Sequence, residues 1–410
     1  MPFSGASRGA LSGVRVLDVT QAYAGPFCAQ LLADQGADVV KVESPEGDVN
    51  RTLGPRPADD ATHAYAALFQ HCNRNKRGIV IDLKSDAGRA AFLELVKTAD
   101  VLVENFRFGV MERLGLGYET LSAVNPRLVY TSIRGYGDRA GGLSPWAAFP
   151  AVDMIAQAYG GVMSITGPDT ATPTKIGGGW GDTVPGLWAA FATVTALLEA
   201  RVSGRGQYVD IAMADTILAM CEGVSTFYGY DAAQVPGPTG NRLPDIVPFG
   251  TVRAKDGHVA LAVPPGRNWA IFCEAIGRPD LIDHPDFATV PARVRNAARV
   301  YAEIEAFTTR HSREELMAIF GGKVPFSPIM DARDIHADAH FAVREMLVPV
   351  DHPGSTQAVR TIGTPVKLSR TPGGVRHRAP MLGEHTDAVL AEAGFAPEAI
   401  AALRQAGAVA

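Results

Sequence analysis

One acidic residue, Asp182, stands where a glycine-rich segment meets a long apolar run. The segment reads IGGGWGD over residues 176–182, and the apolar run continues to about residue 201. A carboxylate can itself attack an activated acyl group, so Asp182 is a candidate nucleophile. Asp is also among the favoured residues at a helix N-cap. The two roles are compatible, because a helix N-terminus favours the ionised carboxylate that attacks.

The neighbouring glycines admit two interpretations. They can form a flexible turn, or their backbone N–H groups can face a developing oxyanion, which makes Gly178 and Gly179 candidate residues of a substrate pocket. Glycine clusters before helices also bind phosphates, but the chain has neither GxGxxG after its first predicted strand nor GxxxxGK(S/T). A dinucleotide dehydrogenase and a P-loop enzyme are therefore disfavoured.

Basic residues at two places are candidate phosphate ligands. Residues 73–77 read NRNKR, and Arg107 follows another predicted strand. Lys offers a phosphate a point charge, and Arg offers it a planar fork. Because the carboxyl ends of parallel strands open onto one crevice, we expect residues 20–25, Lys76 and Arg107 near a single site. A solvated turn explains an isolated basic run equally well.

The pattern of the first third predicts the elements that position these residues. Apolar runs bounded by turn residues predict strands at 14–19, 37–42, 79–83, 99–104 and 128–133, alternating with helical patterns. Such alternation indicates an α/β fold with a mostly parallel sheet. The helix predicted at 183–201 is apolar nearly all round, so we expect it to be buried, either within the chain or against a partner chain.

The composition of the sequence changes near residue 225. A stretch rich in Gly, Pro and Asp at 228–248 predicts a linker or an exposed loop. Residues 249–263 predict a hairpin with its turn at 255–257. Ser312 followed by Glu315 predicts a capping box at the start of a helix. A second, smaller domain is therefore expected after the large one.

Composition narrows the class of protein. A length of 410 residues favours two domains, and 47% hydrophobic with 20% charged residues is typical of a soluble protein. The net charge of −5 gives no reason to expect nucleic acid as a partner. No unbroken apolar run reaches the roughly 18 residues of a membrane span, so no membrane segment is expected. Four scattered cysteines without a CxxC pair favour the reducing cytoplasm over disulfides, and we expect no metal site.

Several blocks of sequence, in order, carry a resemblance to a known family. They are LSGVRVLDVTQAYAGPFCAQLLADQGADVVKVESPEGD at 11–48, NRNKRGIVIDLKSDAG at 73–88, residues 99–137, GDTVPGLWAAFATVTALL at 181–198, SGRGQYVDIAM at 203–213, and APMLGEHT at 379–386. Together they cover nearly the whole chain. The chain resembles the family III CoA transferases, which include the formyl-CoA transferases, the carnitine CoA-transferases and the α-methylacyl-CoA racemases.

The resemblance implies a fold and an assembly. We expect a Rossmann-like large domain of residues 1–225 completed by 335–410, and a small α+β domain of residues 226–334. The resemblance also implies an interlocked homodimer, with coenzyme A along the large domain and the acyl group at the interface of the two chains. The CoA thioester is then a substrate, and no permanently bound cofactor is expected.

The resemblance further implies roles for individual residues. Asp182 falls on the nucleophilic aspartate of the family. Lys76 and Arg107 fall on positions that meet the phosphates of CoA. Ala22 and Ala24 fall in the loop that lies along the thioester.

Two further positions belong to the acyl pocket of the family. Asp153 aligns with an acidic position near the acyl group, and Tyr23 stands beside the thioester loop. A lone Asp such as Asp153 is, from the sequence alone, more often structural than catalytic.

Departures from the family pattern narrow the choice of reaction. The racemases have a histidine directly before the acidic position, where this chain has Val152. Racemisation needs a base on each face of the α-carbon, so a racemase is disfavoured. The formyl-CoA:oxalate transferases carry a glutamine where this chain has Tyr23 and a run of glycines where it has residues 240–244, so oxalate is a disfavoured substrate. Ser44 replaces an arginine that often follows KVE.

The predicted function is a CoA transferase that moves CoA from an acyl-CoA thioester to a free carboxylic acid. The reaction would pass through an aspartyl anhydride and an aspartyl-CoA thioester. Arg134, Arg139 and Lys175 favour a dicarboxylate such as succinate, although each is equally explained as an ordinary surface charge. The alternatives are a racemase-like α-proton transfer enzyme and a non-catalytic protein that binds CoA esters.

Overall fold

The computed structural model describes residues 9–138 and 141–410. The chain forms two compact units. The first takes the described residues up to Val162 with Ile176–Ala232 and Ala339–Ala410, and the second takes Met163–Lys175 and Ala233–Asp338. The domain boundaries expected after residues 225 and 334 stay a prediction, and the structure places 163–175 in the second unit.

The first unit alternates strands and helices. Its strands are β1 (Arg15–Asp18), β2 (Asp38–Glu43), β3 (Lys76–Val80), β4 (Val101–Glu104), β5 (Val129–Arg134), β6 (Tyr208–Ala212), β10 (Leu347–Val350) and β11 (Val359–Ile362). Its helices are α1 (Ala24–Asp34), α2 (Ala67–Asn73), α3 (Asp86–Val96), α4 (Val110–Arg113), α5 (Tyr118–Val124), α6 (Asp153–Tyr159), α7 (Trp180–Ser203), α8 (Met213–Ala219), α9 (Tyr228–Tyr230), α15 (Ala339–Val343), α16 (Thr386–Glu392) and α17 (Pro397–Gln405).

A six-stranded sheet, in the order β3-β2-β1-β4-β5-β6, is the centre of this unit. Every neighbouring pair in it is parallel, so the predicted α/β class with a mostly parallel sheet is confirmed. The order reverses between β1 and β4. In such sheets the loops after the two strands at the reversal part and leave a crevice for a ligand.

The strands of this sheet are apolar runs because helices cover both faces of a parallel sheet. The core joins Leu17, Val40, Leu102 and Tyr130 of the sheet to Val389, Leu390 and Ile400 of the C-terminal segment. An antiparallel bridge between Ile81 and Val409 also ties this segment to the end of β3. The last 25 residues therefore complete the core of the first unit.

Most predicted strands differ from the observed ones by one or two residues, but β3 begins at Lys76 rather than at the predicted 79. The apolar run starts only at Ile79, and no pattern in the sequence predicts two basic residues inside a sheet. Both basic side chains are nevertheless buried and paired. This shift matters for the functional site, because it moves Lys76 to the amino end of its strand.

Helix α7 presents two different faces. Ala189, Thr193, Ala196 and Ala200 are buried, whereas Leu187, Phe191 and Leu198 are 58%, 63% and 67% exposed. The helix was expected to be buried on all sides. Within a single chain, only one of its faces is buried. By length and composition alone α7 could cross a membrane, which is weak evidence since core helices of soluble proteins pass the same test.

The second unit pairs a small sheet with helices. Its strands β7 (Phe249–Ala254), β8 (Gly257–Ala262) and β9 (Phe326–Pro328) form an antiparallel sheet in that order. Its helices are α10 (Asn268–Ala275), α11 (Val290–Arg295), α12 (Ala297–Thr308), α13 (Arg313–Phe320) and α14 (Ala332–Ala337). The predicted hairpin is confirmed, and so is the capping box formed by Ser312 and Glu315.

Candidate active site

A cavity of about 360 Å³ opens in the first unit where the sheet order reverses. The loops after β1 and β4, at 21–24 and 105–108, form two of its walls. Residues 133–135 at the end of β5, residues 147–152, Asp182 and Met213 complete the lining. The cavity therefore brings together six candidate residues from the sequence: Ala22, Tyr23, Ala24, Arg107, Arg134 and Asp182.

The loop after β1 is held in an unusual conformation. Ala22 has a φ of 61°, in the left-handed region that L-residues rarely adopt. Its N–H donates to Asp48 Oδ1 at 3.2 Å, and its carbonyl accepts from the side chain of Asn50. The amide of Asn105 meets Gln21 with two hydrogen bonds of 2.8 Å, to its N–H and to its carbonyl. The loops after β1 and β4 are thus fastened to each other.

Asp48 is fixed in turn by a buried lysine. Lys41 Nζ donates to Asp48 Oδ2 at 2.9 Å and to the carbonyl of Thr20 at 3.0 Å, and both charged side chains are fully buried. Neither residue was singled out from the sequence. The signal that could have revealed them is a lysine inside the apolar strand DVVKVE, since a buried charge requires a partner.

Asp182 is the third residue of α7, and Gly179 occupies the N-cap position. The N-cap interpretation of Asp182 is therefore wrong. Its backbone N–H donates to the Gly179 carbonyl at 3.1 Å, and its side chain lines the cavity. Burial, with a smaller effect from the charge of Asp153, raises the pKa of Asp182 to about 7. A substantial fraction of the carboxyl is thus ionised near neutral pH, despite its partial burial.

Asp153, Gly178 and Gly179 surround Asp182 without lining the same cavity. Asp153 begins α6, and its Oδ1 accepts from the N–H of Gly181 at 2.6 Å. Gly178 has a φ of 74°, which glycine adopts without strain. The structure therefore places Asp153 against the backbone of the glycine segment.

An aromatic cluster stands behind the cavity. Tyr23, Phe27 and His71 have ring centroids 5.9 to 6.3 Å apart. Burial, then the charge of Arg74, lowers the pKa of His71 to about 4, so its ring is neutral at pH 7. Burial, with Cys72 and Asp182 nearby, raises the pKa of the Tyr23 phenol. Tyr23 therefore presents a neutral group beside Asp182.

Lys76 does not reach the cavity, so its predicted placement beside Arg107 is corrected. Its ammonium is fully buried and donates to Asp18 Oδ2 at 2.7 Å, to the Pro26 carbonyl at 2.8 Å and to Asn73 Oδ1 at 2.9 Å. An ammonium has three N–H donors, and all three are used. The error follows from the early start of β3, since Lys76 precedes its strand's carboxyl end.

Arg107 and Arg134 both line the cavity but differ in what they contact. The side chain of Arg107 is exposed and forms no hydrogen bond or ion pair within 9–138 and 141–410. Arg134 donates to Glu104 Oε1 at 2.9 Å, to Asp138 Oδ2 at 2.6 Å and to the Phe106 carbonyl. Arg107 is therefore available to an anionic ligand, whereas Arg134 supports the loop after β4.

Of the other basic candidates, Lys175 does not line this cavity. Lys175 is exposed and belongs to the second unit. Arg139 lies outside the described residues.

His336 and His340 have HxxxH spacing, but no group of three or more His, Cys, Asp or Glu side chains suited to a metal ion occurs among the residues that the structure describes.

The sequence matches the model of CoA-transferase family III over residues 11–386. It is 44% identical to the succinyl-CoA:mesaconate CoA-transferase of Haloarcula hispanica, over 94% of this chain and 97% of that one. It is 36% identical to the succinate–glutarate CoA-transferase of Agrobacterium fabrum, over 93% and 95%. A crystal structure of a CaiB/BaiF family protein from Brucella suis superposes with a TM-score of 0.85 at 35% identity, over 94% of this chain and 100% of that one.

The chain therefore belongs to CoA-transferase family III, and it is an enzyme that transfers CoA between carboxylic acids. The resemblance carried by the sequence blocks is thereby confirmed. Its substrates are an acyl-CoA thioester and a carboxylic acid.

Proposed function

We propose that this enzyme transfers CoA from succinyl-CoA, or another short dicarboxylic acyl-CoA, to a dicarboxylic acid, with Asp182 as the nucleophile. The observation that carries the proposal is the position of Asp182 in the same cavity as Ala22, Ala24 and the unpaired Arg107. The names of the two similar transferases, which act on succinyl-CoA with mesaconate and on succinate with glutarate, support a dicarboxylate on both sides of the reaction.

Coenzyme A lies, in this proposal, along the loops after β1 and β4. Arg107 pairs with a phosphate of CoA, since an exposed guanidinium without a protein partner can give a phosphate two hydrogen bonds. The fixed loop at Ala22 and Ala24 lies along the thioester. Tyr23, Gly178 and Gly179 border the acyl group. Lys76 has no part in this binding, because all its donors are used inside the fold.

The first half of the reaction releases the donor acid. An Oδ atom of Asp182 attacks the thioester carbonyl and the C–S bond breaks. CoA leaves as the thiolate, which produces a mixed anhydride of Asp182 and the donor acid. The thiolate then attacks the Asp182 carbonyl. The anhydride C–O bond on that side breaks, the donor carboxylate departs, and an aspartyl-CoA thioester remains.

The second half repeats these steps with the acceptor. The acceptor carboxylate attacks the aspartyl thioester, releases CoA thiolate and forms a second anhydride. The thiolate attacks the acceptor's acyl carbon, which gives the new acyl-CoA and restores the Asp182 carboxylate. No net proton transfer is needed, so the site requires oxyanion stabilisation rather than a pair of acid–base groups.

Isotope exchange tests this proposal. The purified enzyme is incubated with succinyl-CoA and labelled succinate, and then with succinyl-CoA and separate mesaconate, glutarate or oxalate. We expect label in succinyl-CoA and transfer to at least one of the dicarboxylates with four or more carbons. The absence of exchange with every dicarboxylic acyl-CoA, together with transfer from a monocarboxylic one, would reject the substrate class.

We also propose a homodimer in the cytoplasm. The exposed face of α7 carries an apolar residue every three or four positions. These residues are 41% to 86% exposed: Leu187, Phe191, Val194, Leu198 and Val202. A continuous apolar stripe on a single chain favours an interface with a second copy. The four cysteines are free, buried thiols, which suits a reducing compartment. Analytical ultracentrifugation should show the dimer mass, and a stable monomer at micromolar concentration would reject this assembly.

A further inference from the structure

Two polar side chains of α6 hold both ends of the glycine segment that precedes Asp182. Asp153 Oδ1 accepts from the N–H of Gly181 at 2.6 Å and from the side-chain amide of Gln157 at 3.0 Å. Gln157 Oε1 accepts from the N–H of Ile176 at 2.9 Å. One carboxamide thus connects the start of the segment to the carboxylate that holds its end. We call this set of contacts the α6 clamp.

The clamp has a single satisfactory arrangement. Gln157 is 0% exposed, so no water replaces a lost partner. Its N–H₂ faces a carboxylate and its oxygen faces an N–H. Turning the amide over would set oxygen against oxygen and N–H against N–H, and both hydrogen bonds would be lost. The orientation of Gln157 therefore fixes Asp153 and Ile176 together.

Between these two anchors, the Gly179 carbonyl accepts from the N–H groups of Asp182 and Thr183, but the N–H side of the segment has little support. A Cβ added at Gly177 or Gly178 would meet no atom within 4 Å, so no packing holds the backbone there. Among the described residues, the N–H groups of residues 177–180 have no acceptor. At Gly181, by contrast, a Cβ would lie 2.1 Å from the Asp153 carbonyl oxygen, which shows how closely the end of the segment packs on α6.

We propose that Gln157 is a positioning residue for the Asp182 nucleophile. By orienting Asp153 and anchoring Ile176, it fixes the first turn of α7 and the open N–H groups of the glycine segment relative to the thioester. Attack by a carboxylate and stabilisation of the resulting oxyanion both depend on such fixed geometry. Gln157 itself touches no reacting atom. This inference rests on the proposed role of Asp182.

The clamp also keeps the charge of Asp153 near Asp182. Burial is the larger cause of the raised pKa of Asp182, and Asp153 is the second. A displaced Asp153 would alter both the position and the protonation of the nucleophile. Loss of the clamp is therefore expected to slow the chemical step more than it weakens binding of the CoA ester.

The test replaces Gln157→Met, which preserves length and removes both hydrogen bonds. We expect kcat to fall roughly 10- to 100-fold, since a displacement of about 1 Å can have this effect, with KM for succinyl-CoA within about twofold of the wild type. Gln30→Met is the matched control. Gln30 is also 0% exposed and donates to an aspartate four residues away, Asp34, at 2.6 Å, but it does not line the cavity. Asp34 follows Gln30, whereas Asp153 precedes Gln157. Its kcat should stay within about twofold.

A second variant separates positioning from general instability. Gln157→Glu keeps an oxygen for the Ile176 N–H but can donate to Asp153 only when protonated. The ratio of its kcat to the wild-type kcat should rise as pH falls from 8 to 6, because the buried carboxyl introduced beside Asp153 then gains the proton that it donates. Asp182 is present in both enzymes, so its own protonation is not the source of this rise. The same ratio for Gln157→Met should change less over this range, because the methionine side chain gains no hydrogen-bond donor as pH falls. A flat ratio for both variants would overturn the inference.

Hydrogen–deuterium exchange gives a readout that does not depend on activity. The amides of Ile176 and Gly181, the two that the clamp bonds, should exchange at least about threefold faster in Gln157→Met and unchanged in Gln30→Met. Overlapping peptides across residues 176–181 resolve these two amides from their neighbours. Unchanged exchange, an unchanged kcat in the folded Gln157→Met variant, or an equal loss in Gln30→Met would overturn the inference. If instead Asp182→Ala remained active, the proposed function would fail while the exchange experiment would still decide whether the clamp exists.

Discussion

Two carboxylates of the first unit, Asp18 and Asp182, are both withdrawn from water, yet their pKa values move in opposite directions. Burial alone would raise the pKa of Asp18, but the charges of Lys76 and Lys41 and two hydrogen bonds lower it. Burial and the like charge of Asp153 raise the pKa of Asp182 to about 7. One carboxylate is paired with a buried cation, and the other has a second carboxylate as its neighbour.

This difference distinguishes a structural acid, Asp18, from the proposed nucleophile, Asp182. Asp18 accepts hydrogen bonds from Lys76, from the Thr20 N–H and from the Thr20 hydroxyl, so its oxygens are occupied within the fold. Asp182 opens onto the cavity. A raised pKa marks a carboxylate that the protein does not stabilise as an ion, and such an ion is a better nucleophile than a paired one.

The largest expected effect comes from removing the reactive carboxylate. Asp182→Ala should lower kcat for CoA transfer by about 10³-fold or more, because the covalent route is lost. The Kd for the CoA ester should change little, since the substituted side chain is not a CoA ligand. Steady-state kinetics and calorimetry check the two halves of this prediction. More than trace transfer by the variant would remove Asp182 from the nucleophile's role.

Disrupting the ion pair of the structural carboxylate, Asp18, should lower the stability of the fold rather than the rate of transfer. Lys76→Met leaves Asp18 buried without its cation, which should lower the free energy of unfolding by about 3–5 kcal/mol. Asp18→Asn combined with Lys76→Met should recover part of the loss, because no charge is then left unpaired. Urea unfolding measures both. A stable Lys76→Met variant whose KM for the CoA ester is raised would instead return Lys76 to the phosphate site.

Arg107 is the cation that tests the binding half of the comparison. Arg107→Ala should raise KM for the acyl-CoA about tenfold, equivalent to about 1.4 kcal/mol, with kcat within about twofold, the signature of uniform binding. Arg127→Ala is a suitable control, because Arg127 is exposed and lies before β5, at the other end of the sheet. Equal effects of the two substitutions would indicate a general charge effect rather than a specific phosphate contact.

The smallest expected effect is a displacement of the pH profile. Asp182 attacks as the carboxylate and has a pKa of about 7, so kcat/KM should fall up to about tenfold per pH unit below 7 and level off above it. Asp153→Asn keeps an oxygen for the Gly181 N–H but removes the charge. The pH profile of this variant should move to lower pH, because the pKa of Asp182 falls when the neighbouring charge is removed. The pKa should fall by only part of its elevation, since burial is the larger cause of that elevation. A profile displaced to higher pH would contradict this electrostatic account.

The class of fold could be predicted from the sequence, and Asp182 could be chosen from it as the candidate nucleophile, for identifiable physical reasons. Apolar runs separated by turn residues mark strands of a parallel sheet, and a single carboxylate among glycines at the start of a helix is a candidate for covalent chemistry. The nucleophilic role of Asp182 itself stays a prediction. The hairpin at 249–263 and the capping box at Ser312 are local patterns, so they too were predictable.

The N-cap interpretation of Asp182 was a local error, because α7 begins two residues earlier. The other errors and omissions depend on tertiary contacts. The position of Lys76 could not be predicted because its side chain forms an ion pair with Asp18. The two residues lie on β3 and β1, which are not neighbours in the sheet, so only the fold brings their side chains together. Asp48 and Asn105 acquire a role only when the loops after β1 and β4 become neighbours. Gln157 shows no sequence signal beyond its type, since its second partner, Ile176, lies outside α6 and becomes a neighbour only in the fold.

The central claim, that Asp182 forms a covalent bond with the acyl group or with CoA, is tested most directly by trapping. The enzyme is incubated with succinyl-CoA and hydroxylamine, digested, and the peptide that contains Asp182 is examined by mass spectrometry, with Asp182→Ala as the control. A hydroxamate at Asp182 in the wild type is the predicted result. Active transfer under the same conditions with an unmodified Asp182, or with a hydroxamate on another carboxylate, would contradict the account.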